Sequence, residues 1–121
     1  MKNILIAVSG TGGHVYPGIA LAYELKQAGY NPVFIVNNNK NGVSLKIVST
    51  SGYDYEILDF IAPPRKISLE LLLFPFKFVK TLFAARKILN KFSPAAVAGM
   101  GAYLSFPVLL TAKIKKIPTI I

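Results

Sequence analysis

Short apolar runs alternate with segments of helical periodicity along the chain. Residues 4–8 and 32–36 are continuous apolar runs of strand length, and weaker strand patterns occur at 53–61, 95–98 and 118–121. Helices are predicted between them: one from the first glycine-rich stretch to Gly29, and others over 43–50, 69–90 (broken or kinked near Pro75) and 103–116. This alternation predicts an α/β fold in which helices cover both faces of a parallel sheet.

The stretch after the first strand combines three glycines with the start of a helix. Residues 9–14 are Ser-Gly-Thr-Gly-Gly-His, and Pro17 follows in the early helix. Glycine lets the backbone approach a ligand closely, and the N–H groups at a helix start attract an anion. We therefore expect a nucleotide or diphosphate here, with a purely structural turn as the alternative. The helix is predicted to face the core through Gly18, Leu21, Leu25 and Ala28.

Two common phosphate-binding motifs do not fit this stretch. A dinucleotide fingerprint requires Gly or Ala where Val15 stands, and an acidic residue after the second strand, where residues 37–39 are all Asn. A P-loop requires Lys and then Ser or Thr after the last glycine, where His14 and Val15 stand.

His14 is the only histidine of the chain, and it lies at the end of the glycine-rich stretch. A lone histidine is more often structural than catalytic. Beside the N–H groups of a helix start, however, an imidazole can contact a phosphate or a sugar hydroxyl. Both interpretations stay open on position alone.

Composition limits the choice of partner and chemistry. The 121 residues form about one domain, 1–121, with 53% hydrophobic and 16% charged residues, which is typical of a globular protein. Fourteen basic against five acidic residues give a formal charge of +9 and indicate an anionic partner: a membrane surface, a nucleic acid or a phosphorylated substrate. The absence of cysteine excludes disulfides, thiolate metal sites and a thiol nucleophile.

The helix predicted over 69–90 is basic and amphipathic. One line along it carries Lys77, Lys80, Lys87 and Lys91, while Phe78, Leu82, Ala85 and Leu89 form another line. The apolar residues upstream, at 71–74 and 76, exceed what one buried face can absorb. We favour docking on a membrane surface over an ordinary crossover helix. RNA binding is disfavoured because no aromatic-rich strand is interleaved with the lysines.

Membrane spanning and secretion are not expected. The apolar stretch 67–83 is interrupted by Glu70, Pro75, Lys77 and Lys80, and the run before the glycines is too short for a signal peptide. We therefore expect a cytoplasmic protein without a transmembrane segment.

Two motifs together resemble a known family. The first is Gly-Thr-Gly-Gly-His-Val-Tyr-Pro-Gly at 10–18, and the second is Gly-Met-Gly-Ala-Tyr-Leu-Ser-Phe-Pro at 99–107, followed by Ile117 and Pro118. In these residues the chain resembles the MurG N-acetylglucosaminyltransferases, which make lipid II in bacterial peptidoglycan synthesis. The resemblance follows the whole chain in order, but it covers only the amino-terminal domain of that family.

The resemblance implies a Rossmann-like domain that forms the N-terminal half of a GT-B glycosyltransferase. The implied reaction is an inverting transfer of N-acetylglucosamine from UDP-N-acetylglucosamine (UDP-GlcNAc) to the muramyl 4-hydroxyl of lipid I, which is undecaprenyl-diphospho-MurNAc-pentapeptide. It implies no metal, no other cofactor and no nucleic acid. The implied location is the cytoplasmic face of the inner membrane, where the protein would be peripheral.

The resemblance also implies roles for individual residues. His14 is the candidate catalytic residue, close to the reacting sugars. The implied donor contacts for UDP-GlcNAc are Thr11, Gly12 and Gly13. The implied acceptor diphosphate site consists of Gly10, His14, Gly99, Gly101, Tyr103 and Ser105. The implied membrane-docking residues are Leu72, Phe74, Phe76, Lys77, Lys80, Lys87 and Lys91.

Three positions depart from the family pattern. Ser9 and Ala102 stand where the family usually has glycine, and Ser44 stands near a usual glutamate. The chain also ends on strand-like residues, which we interpret as a fragment or as one subunit of a split enzyme, with the donor-binding C-terminal domain supplied in cis or in trans. A fragment would be inactive alone. A nonenzymatic, nucleotide-binding peripheral membrane protein is the alternative from another class.

Overall fold

A computed structural model describes residues 2–8, 12–37, 43–58, 69–100 and 102–120, apart from the side chains of 12–14, 37, 43–44, 70–71 and 102–106. The elements are β1 (Asn3–Val8), α1 (Gly12–Gln27), β2 (Asn31–Asn37), α2 (Val43–Thr50), β3 (Asp54–Leu58), α3 (Leu69–Phe92), β4 (Ala96–Gly99), α4 (Ala102–Ile114) and β5 (Thr119–Ile120). This order of strands and helices confirms the predicted α/β alternation.

The five described strands form one parallel sheet in the order β3-β2-β1-β4-β5. From β1 the chain builds outward through β2 to β3, and α3 then carries it back to the other side of β1, where β4 pairs. The direction of winding therefore reverses between β1 and β4. This is the topological switch point of the sheet.

Helices cover both faces of the sheet, as predicted. On one face, Leu5 and Ala7 of β1 pack with Leu89 of α3 and Val108 of α4. On the other face, Ile6 and Val8 of β1 and Phe34 of β2 pack with α1 and α2. Because successive side chains of a strand point to opposite faces, β1 contributes to both cores and is fully buried from Leu5 to Val8.

Helix α1 follows its predicted face with one exception. Gly18 is buried and Leu21 and Leu25 are partly buried, whereas Ala28 is exposed beyond the helix end. The prediction for Ala28 is wrong because the chain leaves the helix there. Gly29 adopts φ 92°, and the Tyr30 N–H donates to the Leu25 carbonyl at 2.9 Å, which is the Schellman pattern that ends a helix.

Helix α3 is continuous through Pro75, so the predicted break does not occur, and the predicted kink stays a prediction. Proline lacks the N–H donor and crowds the carbonyl four residues earlier, which is why a break was expected. Pro75 is the seventh of 24 residues, and the longer part of the helix follows it. Strand β3 ends at Leu58, and residues 59–61 of the predicted strand lie outside the described residues.

Asn3 ties three elements together at the amino-terminal edge of the sheet. Its side-chain Nδ2 donates to the Phe92 carbonyl at the end of α3 at 2.7 Å, and its Oδ1 accepts from Asn31 Nδ2 at 2.9 Å. The Asn3 carbonyl also accepts from the Ala95 N–H at 2.8 Å. These bonds fix the end of α3 beside the starts of β1 and β2.

We expect Asn3→Ala to lower the free energy of unfolding by about 1–3 kcal/mol, because it leaves partly buried polar groups of Phe92 and Asn31 without their partner. Urea denaturation followed by circular dichroism measures this. The matched control is Asn90→Ala, which removes an exposed amide that accepts from Lys115. Its effect should stay within about 0.5 kcal/mol. Equal effects of the two substitutions would contradict the role of Asn3.

Candidate functional site

The two glycine motifs meet at the carboxyl-terminal edge of the sheet. Ala7 of β1 lies opposite Gly99 of β4, and the Met100 N–H donates to the Ala7 carbonyl at 3.1 Å. Helix α1 begins at Gly12, shortly after β1, and α4 begins at Ala102, shortly after β4. Both helix starts therefore lie at this edge, at the switch point, where open α/β sheets bind their ligands.

The helix starts approach this edge from opposite faces. Val15 of α1 belongs to the core cluster with Ile6 and Val8, whereas Val108 of α4 belongs to the cluster with Leu5 and Ala7. Each start directs N–H groups and a partial positive charge outward. Two such ends beside one another provide an environment that favours an anion with more than one charge.

The structure places the predicted site residues at this edge as far as it describes them. Gly12, Gly13 and His14 form the first turn of α1, and Tyr103 and Ser105 lie in the first turns of α4. The Gly12 and Gly13 amides belong to the first four N–H groups of α1, which have no acceptor within a helix.

Other predicted residues of the edge differ in what can be said of them. Gly99 is buried as the last residue of β4. The amide of Met100, next to it, is already used by Ala7. Ser9, Gly10, Thr11 and Gly101 lie outside the described residues, as do the side chains of His14, Tyr103 and Ser105. Their roles as ligand contacts stay predictions.

A second candidate surface lies on α3. The lysines at 77, 80, 87 and 91 are all exposed, and we call them the lysine stripe. Leu72 and Phe76 are 71% and 75% exposed. Phe74 differs from them, because it is partly buried against the core and its ring lies 5.9 Å from that of Phe78. Phe74 therefore offers less exposed surface than Leu72 and Phe76, because its position on the helix turns it toward the core, and its role in docking stays a prediction.

The exposed apolar surface of α3 is longer than the sequence predicted. Leu69, Val79 and Phe83 are also exposed, Phe83 by 65%. With Leu72 and Phe76 they form the apolar stripe: Leu69, Leu72, Phe76, Val79 and Phe83. Their spacing of three and four residues places them on one side of the helix, directly beside the lysine stripe. That spacing was present in the sequence, but only the structure shows that no described element covers these side chains.

A groove between α3 and α4 continues this surface. It has a volume of about 370 Å³ and is lined on the α3 side by Val79 and Phe83 and on the α4 side by Ile114. Arg86 and Lys115 also line it. The groove therefore combines apolar walls with two cations.

Lys91 differs from the other lysines of its stripe. Its Nζ forms an ion pair with Glu56 Oε1 of β3 at 2.5 Å. Its charge is partly balanced by that carboxylate, so Lys91 contributes less to an anionic partner than Lys77, Lys80 or Lys87.

The described part of the chain contains neither a cluster of metal ligands nor a helix that could cross a membrane. Within it, no three His, Cys, Asp or Glu residues come together as metal ligands would. None of the helices described there has the length and apolar character needed to cross a bilayer.

The comparison with known families decides the membership of the chain. Residues 4–121 match the glycosyltransferase family 28 N-terminal domain. The chain belongs to glycosyltransferase family 28. This membership confirms the family resemblance that the two glycine motifs carry, and the parallel sheet is the fold of the N-terminal half of GT-B glycosyltransferases.

Individual relatives of this family 28 domain carry a consistent name. The UDP-N-acetylglucosamine--N-acetylmuramyl-(pentapeptide) pyrophosphoryl-undecaprenol N-acetylglucosamine transferase of Elusimicrobium minutum is 37% identical over 118 residues, which are 97% of this chain and 32% of the relative. The enzyme of the same name from Clostridioides difficile is 37% identical over the whole chain and 30% of the relative. The chain thus spans about a third of the length of these relatives.

Solved structures agree on the fold. MurG of Acinetobacter baumannii superposes with a TM-score of 0.80 at 27% identity, over 98% of this chain and 34% of that protein. The UDP-GlcNAc 2-epimerase of Neisseria meningitidis, at 21% identity and a TM-score of 0.59, shares the fold alone. The sequence resemblance to MurG is confirmed by these matches together.

Proposed function

We propose that this chain is the acceptor-binding and membrane-docking half of an inverting N-acetylglucosaminyltransferase that converts lipid I to lipid II. The donor is UDP-GlcNAc, and the acceptor is the muramyl 4-hydroxyl of the undecaprenyl-diphospho-linked MurNAc-pentapeptide. The observation that supports this most directly is the meeting of two helix starts, each in a motif of family 28, at one switch point. The names of the relatives support the identity of both substrates.

The geometry suits recognition of a diphosphate between two helix starts. The amides of Gly12 and Gly13 in α1, and the start of α4 with Tyr103 and Ser105, supply donors from the two faces of the sheet. We assign Gly10, Gly99 and Gly101 to the same diphosphate site and Thr11 to the donor, as the resemblance to MurG implies. The remaining donor site belongs to a further domain, which accompanies this chain in cis or in trans.

The proposed chemistry needs one proton acceptor. The new bond joins the acceptor 4-oxygen to the anomeric carbon of GlcNAc, the bond from that carbon to the UDP oxygen breaks, and the hydroxyl proton leaves. His14 lies in the first turn of α1. We assign it a place beside the reacting sugars, where a neutral imidazole can take that proton.

For the full-length transferase we expect His14→Ala to lower kcat/KM by at least about tenfold, because general-base groups contribute that much or more to the barrier. The assay follows transfer of labelled GlcNAc to lipid I. Tyr16→Phe is the matched control, since Tyr16 is exposed on the same early part of α1. It should stay within about twofold of wild type. Unchanged kinetics for His14→Ala would remove His14 from the mechanism.

The orientation of α3 brings the docking surface close to this site. Phe92, at the end of α3, bonds Asn3 at the amino-terminal edge of the sheet. Helix α3 therefore begins at the opposite edge, where the glycine motifs lie. It has 24 residues and is about 36 Å long, whereas the six residues of β1 span only about 20 Å. Leu69, Leu72 and Phe76 lie in the half of α3 nearer the glycine-motif edge.

The chemistry of α3 fits an anionic bilayer. Burying an exposed side chain such as Phe76 in the acyl boundary contributes on the order of 2 kcal/mol, and each lysine near an anionic surface contributes about 1 kcal/mol. A lipid-linked acceptor could then present its diphosphate to the glycine motifs while its tail stays in the membrane. We therefore place the protein peripherally at the cytoplasmic face of the cell membrane.

Flotation with vesicles tests this docking surface. We expect the chain to float with vesicles of phosphatidylglycerol and phosphatidylcholine, and less with phosphatidylcholine alone or at high salt, because screening weakens the lysine stripe. Leu72→Ser with Phe76→Ser, and separately Lys77→Gln with Lys80→Gln, should each reduce flotation at least about threefold. Tyr23→Ser, an exposed ring of α1 on the other face of the sheet, is the control. Flotation that does not change with anionic lipid or with salt would contradict a role of the lysine stripe in docking.

A further inference from the structure

Gly18 fills a place where no larger residue fits. It is the seventh residue of α1, and it is buried against the sheet. A methyl group at this position would lie 2.9 Å from Val8 Cγ1, 3.4 Å from Phe34 Cε1 and 3.6 Å from Ile6 Cγ2. Among the described glycines, Gly29 and Gly52 have a positive φ, whereas Gly18 does not. Space, and not backbone conformation, therefore requires glycine here.

The corresponding place in α4 is filled in the opposite way. Val108 is the seventh residue of that helix and is fully buried, on the face where β1 presents Ala7. On the α1 face the strand presents Val8 and the helix presents Gly18. Val108 shares a core cluster with Ala7, whereas a residue larger than glycine at position 18 would collide with Val8.

We propose that Gly18 is a positioning residue that seats the start of α1 for the transfer reaction, an inference that rests on the proposed function. Val8 is the last residue of β1, and only residues 9–11 separate it from Gly12 at the start of α1. The lack of a side chain at Gly18 therefore lets α1 lie directly against the end of β1. This close approach sets where Gly12, Gly13 and His14 stand relative to the strand end.

If a methyl group were added at Gly18, α1 would have to move, because the neighbouring side chains cannot. Val8, Phe34 and Ile6 are each fully buried, and the β-branched Val8 has little rotamer freedom. A methyl at 2.9 Å would therefore push α1 outward by a few tenths of an ångström or more. Because hydrogen bonds join successive turns of a helix, the displacement reaches the amides and the imidazole at the start of α1. A misplacement of about 1 Å can lower a reaction rate by about a hundredfold.

The experiment adds a methyl group to α1 and, in a second step, shortens the opposing Val8 side chain in the full-length transferase. We expect Gly18→Ala to lower kcat for GlcNAc transfer at least tenfold, and Val8→Ala alone to change it by less than threefold. The double variant Val8→Ala/Gly18→Ala should recover to within threefold of Val8→Ala. The matched control is Val36→Ala/Gly18→Ala. Val36 is equally buried and lies beside Val8 in the sheet, but the three atoms nearest to a Gly18 methyl belong to Val8, Phe34 and Ile6.

The pattern of rescue separates positioning from general loss of stability. Val8→Ala and Val36→Ala should lower the melting temperature similarly. When each is combined with Gly18→Ala, only Val8→Ala should raise kcat again. Equal rescue by both, or a folded Gly18→Ala enzyme with wild-type kcat, would overturn the proposal. If Gly18→Ala does not fold, a folded Val8→Ala/Gly18→Ala enzyme with kcat tenfold below Val8→Ala would overturn it as well.

These outcomes are distinct from failure of the proposed function. An inactive wild-type enzyme with UDP-GlcNAc and lipid I would contradict the function itself. An active wild-type enzyme whose Gly18→Ala variant is equally active would contradict only the positioning role of Gly18.

Discussion

The parallel pairing of β1 with β4 is the constraint on which the rest of this structure depends. Strand β4 is separated from β1 by almost ninety residues, yet Ala7 and Gly99 lie opposite each other and the Met100 amide bonds to Ala7. This pairing reverses the winding of the sheet. It brings two helix starts, one from each face, to the same edge. Without it the two glycine motifs would be unrelated turns.

The packing of β1 holds the helices of both faces against the same strand. Each side chain from Leu5 to Val8 is fully buried, and alternate residues serve opposite cores. On the α1 face, the absence of a side chain at Gly18 lets the helix lie against Val8. The anion-favouring ends of both helices are then fixed by apolar contacts, which are independent of any ligand.

Helix α3 divides its length between folding and surface chemistry. Its later half supplies Ala85 and Leu89 to the core, and its end is held by Asn3. Its earlier half carries exposed apolar and basic side chains near the edge with the glycine motifs. A helix that connects two parallel strands needs to be only about as long as a strand. The additional turns of α3 are therefore available for contact with a membrane or a partner.

The sequence alone predicted the fold class, the order of the elements and the family, because apolar runs, glycines and helical spacing are local signals. Helix α2 was predicted with the bounds that the structure gives. The break at Pro75 and the core-facing place of Ala28 were wrong, because local propensities do not report where a helix continues and where it ends. The roles of Thr11, His14 and the other motif residues stay predictions, since they depend on ligands and on side chains beyond the description.

Only the tertiary structure decided which side chains share a surface. It turned Phe74 toward the core, left Val79 and Phe83 exposed, and paired Lys91 with Glu56. It also showed that a side chain at position 18 would collide with Val8, so glycine is required there for lack of space. The sequence pattern does not indicate that these two residues are neighbours. Sequence periodicity fixes the side of a helix on which a residue lies. What stands opposite that side is set by long-range packing, which a local pattern does not contain.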